Sequence, residues 1–336
     1  MKNNNKLKVS TLFFAAMSAI TAFSQSSDLT FSYMPEVHGV VRARWEMHTE
    51  SGEQRFQLRN ARVNFSGKVA PSISYYVQAD FGDKGKVKFL DGWAKLGIVK
   101  GLDFQAGQFR MPFGIEPHLG PSTYLFSNRA FIGKQMMNYR AVGAKLSYKF
   151  AKMPLSIECG AFNPSTIDDQ SAWSKTVAAS AKAVLSLPLG WKVSASYATI
   201  KPGETRANLL DAYLSWADDS WTVTGEYIFK NYCNEAYDDA HGYMFFADWR
   251  RPVKLGVFNR WSVQARLDGM TDHYQLNRTD DAFNPERTRV TLGTTLSYRH
   301  SKFAADVRLN YENNVDCKSY DSDAADRLVA ELVVTF

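Results

Sequence analysis

The sequence has only three cysteines in 336 residues, too few for the disulfide framework of a small secreted protein. It also lacks the long apolar runs of a helical membrane protein, since each helical span needs about 20 mainly apolar residues. The mean hydropathy is −0.32, and the single continuous apolar run lies at the N-terminus. No helical periodicity is sustained after Ser27. The aromatic content of 14% excludes a disordered chain, so an ordered and mainly non-helical fold remains.

The N-terminus has the pattern of an export signal. Lysines near the start form a basic region, and an apolar stretch over residues 9–23 follows. Small residues at Ala22 and Ser24 predict cleavage before Gln25. The alternative is a membrane anchor, but a run of about 15 residues is short for a span. We therefore predict three segments: a signal peptide over 1–24, a short segment over 25–35, and a single domain over 36–336.

The rest of the chain alternates apolar and polar residues with a period of two. Between Val41 and His48, every odd position is apolar and every even position is polar or charged. Successive side chains of a strand point to opposite faces, so each such segment predicts a strand with one apolar and one polar face. The same alternation recurs over residues 72–81, 260–268, 289–299 and 302–312.

The connections between these segments alternate between short and long. Counting both kinds predicts about sixteen strands, in the layout of an up-and-down barrel whose two ends face different compartments. A soluble sandwich or propeller gives no reason for this sorting. The short connections include residues 100–101, 188–190, 218–220 and 300–301, and the long ones include 111–138, 163–174, 231–240, 271–286 and 313–325.

The apolar faces are predicted to point outward into lipid. A closed sheet of about sixteen strands is too wide for side chains to fill, so its polar face suits a water-filled lumen. Aromatic residues near the strand ends are typical of the girdles at the two membrane interfaces. The final strand alternates down to Phe336, which is similar to the assembly signal of bacterial outer-membrane barrels. We predict an all-β fold, a transmembrane antiparallel up-and-down β-barrel with both termini in the periplasm.

Five segments in the first half of this barrel share a pattern with one known family. The most specific is GQFRMPFG, from Gly107 to Gly114, with Glu116 just beyond it. The others are RFQLRNARVNFSGKV (55–69), YYVQADFG (75–82), LDGWAKL (90–96) and YRAVGAKLSY (139–148). Together they resemble the phosphate-selective porin O and P family. The resemblance implies a diffusion channel in the outer membrane of a Gram-negative bacterium, a homotrimer embedded in outer-membrane lipid, with a constriction lined by Arg and Lys.

The longest loop, residues 111–138, is predicted to fold into the lumen as a constriction. It is the third loop on the long side and is too long for a simple hairpin. Apolar residues such as Phe113, Phe126 and Ile132 would be out of place on an exposed tip, whereas packing on the wall would bury them. Pro112 and Gly114 predict a tight turn at its start. The alternative is a solvated lid with incidental charges.

Basic residues predominate on the faces predicted to line the lumen, whereas the long loops are acidic. Guanidinium groups suit an anion path because they stay charged and offer paired donors to phosphate or carboxylate. Rings of such side chains set the selectivity of channels. The alternative is that the wall charges pair across strands simply to remain solvated. The predicted pore-lining anion path comprises Arg42, Arg44, Arg59, Arg62, Arg110, Arg129, Arg140, Lys145, Arg260, Arg266 and Arg289.

Catalytic and metal motifs are missing from the sequence. It contains no HExxH, GxSxG or P-loop pattern, and its six histidines show no metal spacing. The basic residues form no outer patch of the kind that binds nucleic acid. We predict a porin, not an enzyme, without cofactor, that passes small anionic or polar solutes, with phosphate as a candidate. The alternatives are a membrane-embedded barrel enzyme and a non-conducting barrel that anchors or adheres by its loops.

Overall fold

The computed structural model describes residues 33–83, 85–164, 167, 170–317 and 325–336. The predicted signal peptide over 1–24 lies outside the described residues, as do four of the loop acids, Asp168, Asp169, Asp321 and Asp323. No helix in the described part of the chain is long and apolar enough to cross a membrane.

The described chain contains eighteen strands, and sixteen of them form one closed antiparallel barrel. Each barrel strand pairs with the next barrel strand along the chain, and β1 pairs with β18 to close the barrel. The other two, β14 and β15, form a small hairpin inside a loop. The bounds are β1 Glu36–His48, β2 Gln54–Ala70, β3 Ile73–Asp83, β4 Lys86–Val99, β5 Leu102–Arg110, β6 Arg140–Lys149, β7 Leu155–Phe162, β8 Ala178–Ser186, β9 Trp191–Ile200, β10 Ala207–Ala217, β11 Trp221–Tyr232, β12 Ala240–Leu255, β13 Phe258–Met270, β14 His273–Gln275, β15 Ala282–Asn284, β16 Arg287–His300, β17 Phe303–Cys317 and β18 Arg327–Thr335.

The alternation of the sequence becomes the two faces of the barrel wall. In β9, Ser194 and Ser196 are buried on the inner face, whereas Val193 and Tyr197 are exposed on the outer face. An exposed apolar outer face suits a lipid environment, and barrel closure pairs every strand edge. The predicted transmembrane barrel is therefore confirmed, including its sixteen antiparallel strands.

The connections are sorted to the two ends of the barrel. At one end, which we call the short-turn end, the turns include residues 71–72, 100–101 and 256–257, and both described termini lie there. The opposite, long-loop end carries the longer connections, including the 271–286 loop. Barrels of this type have short periplasmic turns and longer extracellular loops, so the short-turn end faces the periplasm.

Tryptophans ring the outer face at the short-turn end. Trp221 and Trp249 lie 6.4 Å apart between ring centroids, and Trp249 and Trp261 lie 5.7 Å apart. A second contact joins Trp191 to Trp216 at 6.5 Å. Indole rings favour the interface between headgroups and hydrocarbon, which sets the depth of this end in the membrane.

The third long-side connection, residues 111–139, folds into the lumen, as predicted. We call it loop 3. It contains a short 3₁₀ turn at Glu116–His118 and a π-helical turn at Ile132–Met136. Phe113 and Ile132 are fully buried, and with Met111 and Met137 they belong to the main hydrophobic core, which also includes inward-facing residues of the wall. This core lies inside the barrel, between loop 3 and the wall.

Candidate functional site

Loop 3 begins with a turn that only glycine fits. Gly114 has a φ of +65°, and a Cβ there would lie 2.8 Å from Pro117 and 2.9 Å from a carboxylate oxygen of Glu226. The close approach brings the loop backbone onto the wall. The amides of Ile115 and Glu116 donate to the two Glu226 oxygens at 2.6 and 2.9 Å. Lys182 of β8 donates to the Gly114 carbonyl at 2.7 Å.

A second set of contacts holds the middle of the loop to the opposite wall. Arg42 donates to the Ser127 carbonyl at 2.5 Å, and Arg266 donates to the Asn128 carbonyl at 2.9 Å. Arg289 donates to the Arg129 carbonyl at 2.9 Å. These three wall arginines therefore bind loop backbone with part of their donor capacity. Loop 3 is thus fixed to the wall at its start and at its middle.

One sector of the lumen is filled by apolar packing. Loop residues Met136 and Ile132 lie against Gly242 of β12, and they belong to one apolar cluster with inward-facing Ala198, Leu209 and Ile228 of β9, β10 and β11. These wall residues are fully buried and occupy the half of their strands nearest the long-loop end. At the depth of Ile132 and Met136, a water-filled path past loop 3 therefore avoids this apolar sector.

Most of the predicted pore-lining cations form ion pairs on the wall. Within the described residues, the shortest distances are Arg42 to Glu331 2.7 Å, Arg44 to Glu46 2.9 Å, Arg62 to Asp80 2.7 Å, Arg140 to Asp91 2.9 Å, Lys145 to Glu158 2.5 Å, Arg266 to Asp268 3.0 Å, and Arg289 to Asp268 2.9 Å. Arg42, Arg44, Arg266 and Arg289 are also buried. The structure thus divides the predicted set into paired and unpaired cations.

Arg110 and Arg129 are the unpaired cations at loop 3, and they meet on one carbonyl group. Pro117 O accepts from Arg110 Nη1 at 2.7 Å and from Arg129 Nη2 at 3.3 Å. Arg110 also donates to the Leu119 carbonyl at 2.7 Å. Within the described chain neither forms an ion pair, and the Nε of each is buried without a hydrogen-bond partner. Each is thus held at a fixed depth by loop carbonyls, without a carboxylate within ion-pair distance in the described chain.

Arg59 and Arg260 are the other two members of the predicted set without an ion pair among the described residues. Arg59 is the extra residue of a β-bulge, because Arg42 pairs with Asn60 and Ala43 pairs with Leu58. Arg260 lies near the short-turn end, with its Nε buried and unpartnered. They lie on β2 and β13, away from the pair at Pro117.

Three cavities meet at Thr123 on the short-turn side of loop 3, and cations outnumber acids in each. A cavity of about 430 Å³, which we call the basic vestibule, is lined by Arg62, Arg110, Arg140 and Lys145 against Asp91. A second, of about 240 Å³, has Arg129, Arg250 and Arg266 against Glu116. A third, of about 200 Å³, has Arg260, Arg299 and Arg308 against Asp306. Most of these cations are paired with carboxylates that lie just outside the linings, such as Asp80, Glu158 and Asp268, so the net positive charge comes from Arg110, Arg129 and Arg260.

His118 also lines the basic vestibule but adds no charge to it. Burial lowers the pKa of this imidazole well below 6.5, and the neighbouring Lys182 and Arg110 lower it further. Its Nδ1 lies 3.0 Å from the Phe113 carbonyl. The ring therefore stays neutral at pH 7, and the positive field comes from Arg and Lys side chains.

Sequence reasoning missed the acids and amides that hold loop 3. Glu226, Asp268 and Asn310 accept from loop amides at 2.6 to 2.9 Å. The sequence showed only that these residues occupy inward-facing positions of their strands. The apolar filling was also missed, although one signal existed. In β9 the inward positions change from serine to Ala198 and Ile200 toward the long-loop end, so both faces become apolar there.

Comparison with known families gives one match. The family described as phosphate-selective porin O and P matches residues 36–217, which extends beyond the motif-bearing segments. A search of curated protein sequences found no match.

Solved structures with the same architecture are numerous, at low identity. An anion-selective porin from Comamonas acidovorans has a TM-score of 0.64 and 13% identity, covering 90% of this chain and 98% of that one. Salmonella typhi OmpF has a TM-score of 0.63 and 14% identity, with 90% and 97% covered. The trimer form of OmpT from Vibrio cholerae has a TM-score of 0.62 and 10% identity, with 90% and 99% covered. At these identities the likeness shows the fold.

Proposed function

Because this chain belongs to the phosphate-selective porin O and P family and forms an outer-membrane channel of a Gram-negative bacterium, we propose that its channel prefers anions. The solutes would be small and hydrophilic, and would diffuse passively along the electropositive sector beside loop 3. The proposal assigns the anion path to the sequence-predicted set, with its unpaired members carrying most of the preference.

The observation that carries this proposal is that each of the three cavities at Thr123 is lined by one cation without an ion pair among the described residues, namely Arg110, Arg129 and Arg260. A fixed charge in a narrow, partly dry passage acts through little screening water, so its effect exceeds that of a surface charge. A paired arginine adds little net charge to the lumen, because the carboxylate beside it offsets its charge. Arg110 and Arg129 form no ion pair in the described chain, and each lines one of these cavities.

Oxyanions such as phosphate are the candidate solutes within this class. A guanidinium group offers five N–H donors in a planar fork, which matches phosphate or carboxylate geometry. The vestibule brings Arg62, Arg110 and Arg140 to one cavity, so a passing oxyanion can exchange water for these donors in turn. Chloride would sense the same charge without the fork geometry.

We further infer that the barrel assembles as a homotrimer in outer-membrane lipid. The support is family membership and the trimer form of the structurally similar OmpT. We also infer that it is a channel and not an enzyme, because its cation-rich lumen resembles a conduction path and the sequence shows no catalytic motif.

Single-channel recording in planar bilayers tests this function. The purified barrel should give discrete, ohmic current steps in KCl, and phosphate added to one side should reduce the chloride current reversibly by competing for the vestibule. Stable insertion without current steps would favour a non-conducting anchor. Current steps that phosphate leaves unchanged would retain the channel but refute oxyanion binding.

A further inference from the structure

One hairpin projects beyond its neighbour at the short-turn end. β11 begins at Trp221, opposite Trp249, so residues 250–255 of β12 extend past the end of β11. They turn back through Gly256 into β13. Between this hairpin and the outer face of β16 and β17 lies a cavity of about 1140 Å³, which we call the outer groove.

The outer groove has an apolar floor. Trp261, Leu296 and Val307 lie in register on three adjacent strands, and Leu255 of the hairpin borders them. The Trp261 indole donates its N–H to Thr294 Oγ1 at 2.8 Å. With this donor satisfied internally, the ring presents only apolar surface to the groove, which therefore suits hydrocarbon.

Two cations stand at the edge of this apolar groove. Arg251 and Lys254 are exposed, and among the described residues neither forms an ion pair or a hydrogen bond. The Arg251 guanidinium lies 5.9 Å from the centroid of the Trp249 ring, which belongs to the aromatic girdle. Both charges therefore lie at headgroup depth, directly above a hydrocarbon-lined space.

We propose that the outer groove binds one anionic phospholipid of the periplasmic leaflet. An acyl chain would lie along Trp261, Leu296 and Val307, and the headgroup phosphate would accept hydrogen bonds from Arg251 and Lys254. Charge complementarity is the ground for choosing a lipid over a second copy of the chain. An apolar side chain from another barrel would fill the floor but leave both cations unmatched.

The distribution of charge at this end supports an anionic partner. The short turns and adjoining strand ends carry Lys100, Lys149, Lys152 and Lys192 alongside Asp218 and Asp219, whereas the long loops carry Asp238, Asp239, Asp280 and Asp281. The periplasmic rim is therefore suited to anionic headgroups in general. The outer groove differs from the rest of this rim because its two cations adjoin a cavity large enough for an acyl chain.

Native mass spectrometry of the full barrel in detergent tests the proposal. With limiting dioleoylphosphatidylglycerol or dioleoylphosphatidylcholine, the wild type should retain one phosphatidylglycerol in preference to phosphatidylcholine. Arg251→Ala with Lys254→Ala should weaken phosphatidylglycerol binding by about thirty-fold. Heat-modifiable mobility confirms that each variant is a folded barrel.

Two further variants separate the groove from the general rim. Lys149→Ala with Lys152→Ala removes two exposed cations from another short turn and should leave the bound phosphatidylglycerol in place. Val307→Trp fills the floor, keeps both cations, and should displace the lipid. Equal retention of the two lipids by wild type, an equal loss in the Lys149/Lys152 pair, or unchanged binding in Val307→Trp would each overturn the proposal. A change in barrel oligomerisation with no change in bound lipid would do so too, and would indicate a second copy as the occupant.

Discussion

Arg110 and Arg129 show how a flexible side chain becomes a fixed charge. Each guanidinium donates hydrogen bonds to loop carbonyls, and the Pro117 carbonyl accepts one from each. Guanidinium groups remain protonated at all physiological pH values. No described carboxylate lies within ion-pair distance of either group, so we expect less of each charge to be offset than in the paired arginines.

We expect Arg110→Ala or Arg129→Ala to reduce anion preference more than Arg287→Ala. Two unit charges 4 Å apart interact by about 1 kcal/mol even in bulk water, which corresponds to about five-fold in an equilibrium ratio. Arg287 is the matched control, since it is also an arginine with an unpartnered Nε but lies at the long-loop end. The measurement is the anion-to-cation permeability ratio. Equal losses in Arg110→Ala and Arg287→Ala would mean that loop 3 does not form the filter.

Arg110→Lys separates charge from donor geometry. Lysine keeps the positive charge but provides a compact ammonium in place of the planar fork. Chloride preference should therefore persist, whereas reversible block by phosphate should weaken. The comparison is made on single channels at one salt concentration. An unchanged phosphate block in Arg110→Lys would refute a fork-dependent role for this residue.

At the scale of elements, loop 3 is held to the barrel wall at two places. Glu226 and Lys182 hold its start, and Arg42, Arg266 and Arg289 hold its middle. The apolar cluster on one side removes water from that sector. The width of the path therefore depends on backbone hydrogen bonds that the wall supplies.

Glu226→Ala should loosen the start of loop 3. It removes the acceptor of two loop amides, and a buried donor left without a partner costs about 1–3 kcal/mol. We expect a larger and noisier open-channel current in this variant. Asp248→Ala is the control, because Asp248 is equally buried on the inner wall but pairs with Arg250 and makes no described contact with loop 3. Equal noise in both variants would argue against Glu226 as the anchor.

The inward fold of loop 3 was predictable from its length and apolar content, because Phe113 and Ile132 needed a surface to pack on. Its anchors were not predictable. Glu226 and Asp268 look like the other inward acids in the sequence. They become anchors because amides of loop 3 reach them, and which acids are reached depends on the curvature of the whole barrel. The division of arginines into paired and unpaired has the same origin. Arg62 pairs with Asp80 on the neighbouring strand, whereas Arg110 is the last residue of β5, where the strand ends and loop 3 begins.

At the scale of the whole molecule, closure joins the two ends of the chain. The backbones of Phe336 and Gly39 exchange two hydrogen bonds at 2.7 and 3.0 Å. The Phe336 ring lies over Gly39, where a Cβ would come within 2.3 Å of it. The terminal residue is thus part of the seam between β1 and β18.

Deleting Phe336, or replacing it with Asp, should impair assembly into the outer membrane, because the seam would lose an aromatic contact that the Gly39 site accommodates. Phe336→Tyr keeps the ring and serves as the control. The readout is the fraction of heat-modifiable folded barrel in outer-membrane preparations. Normal levels in the deletion variant would contradict a role for Phe336 in assembly.

The architecture followed from period-two alternation and loop sorting, since these properties are local to each strand. Sixteen strands, the closed barrel and the outward apolar face are all confirmed. The narrowing of the lumen to one sector was not predictable. It depends on apolar residues of several wall strands joining one cluster with Ile132 and Met136 of a distant loop.

The central claim is that an electropositive path beside loop 3 makes the channel prefer anions, and the zero-current potential across a KCl gradient tests it most directly. The account predicts a reversal potential displaced toward the chloride equilibrium value. The displacement should shrink as salt rises, because the Debye length falls from about 10 Å at 0.1 M to about 3 Å at 1 M. A reversal potential displaced toward the potassium value at low salt would contradict the account.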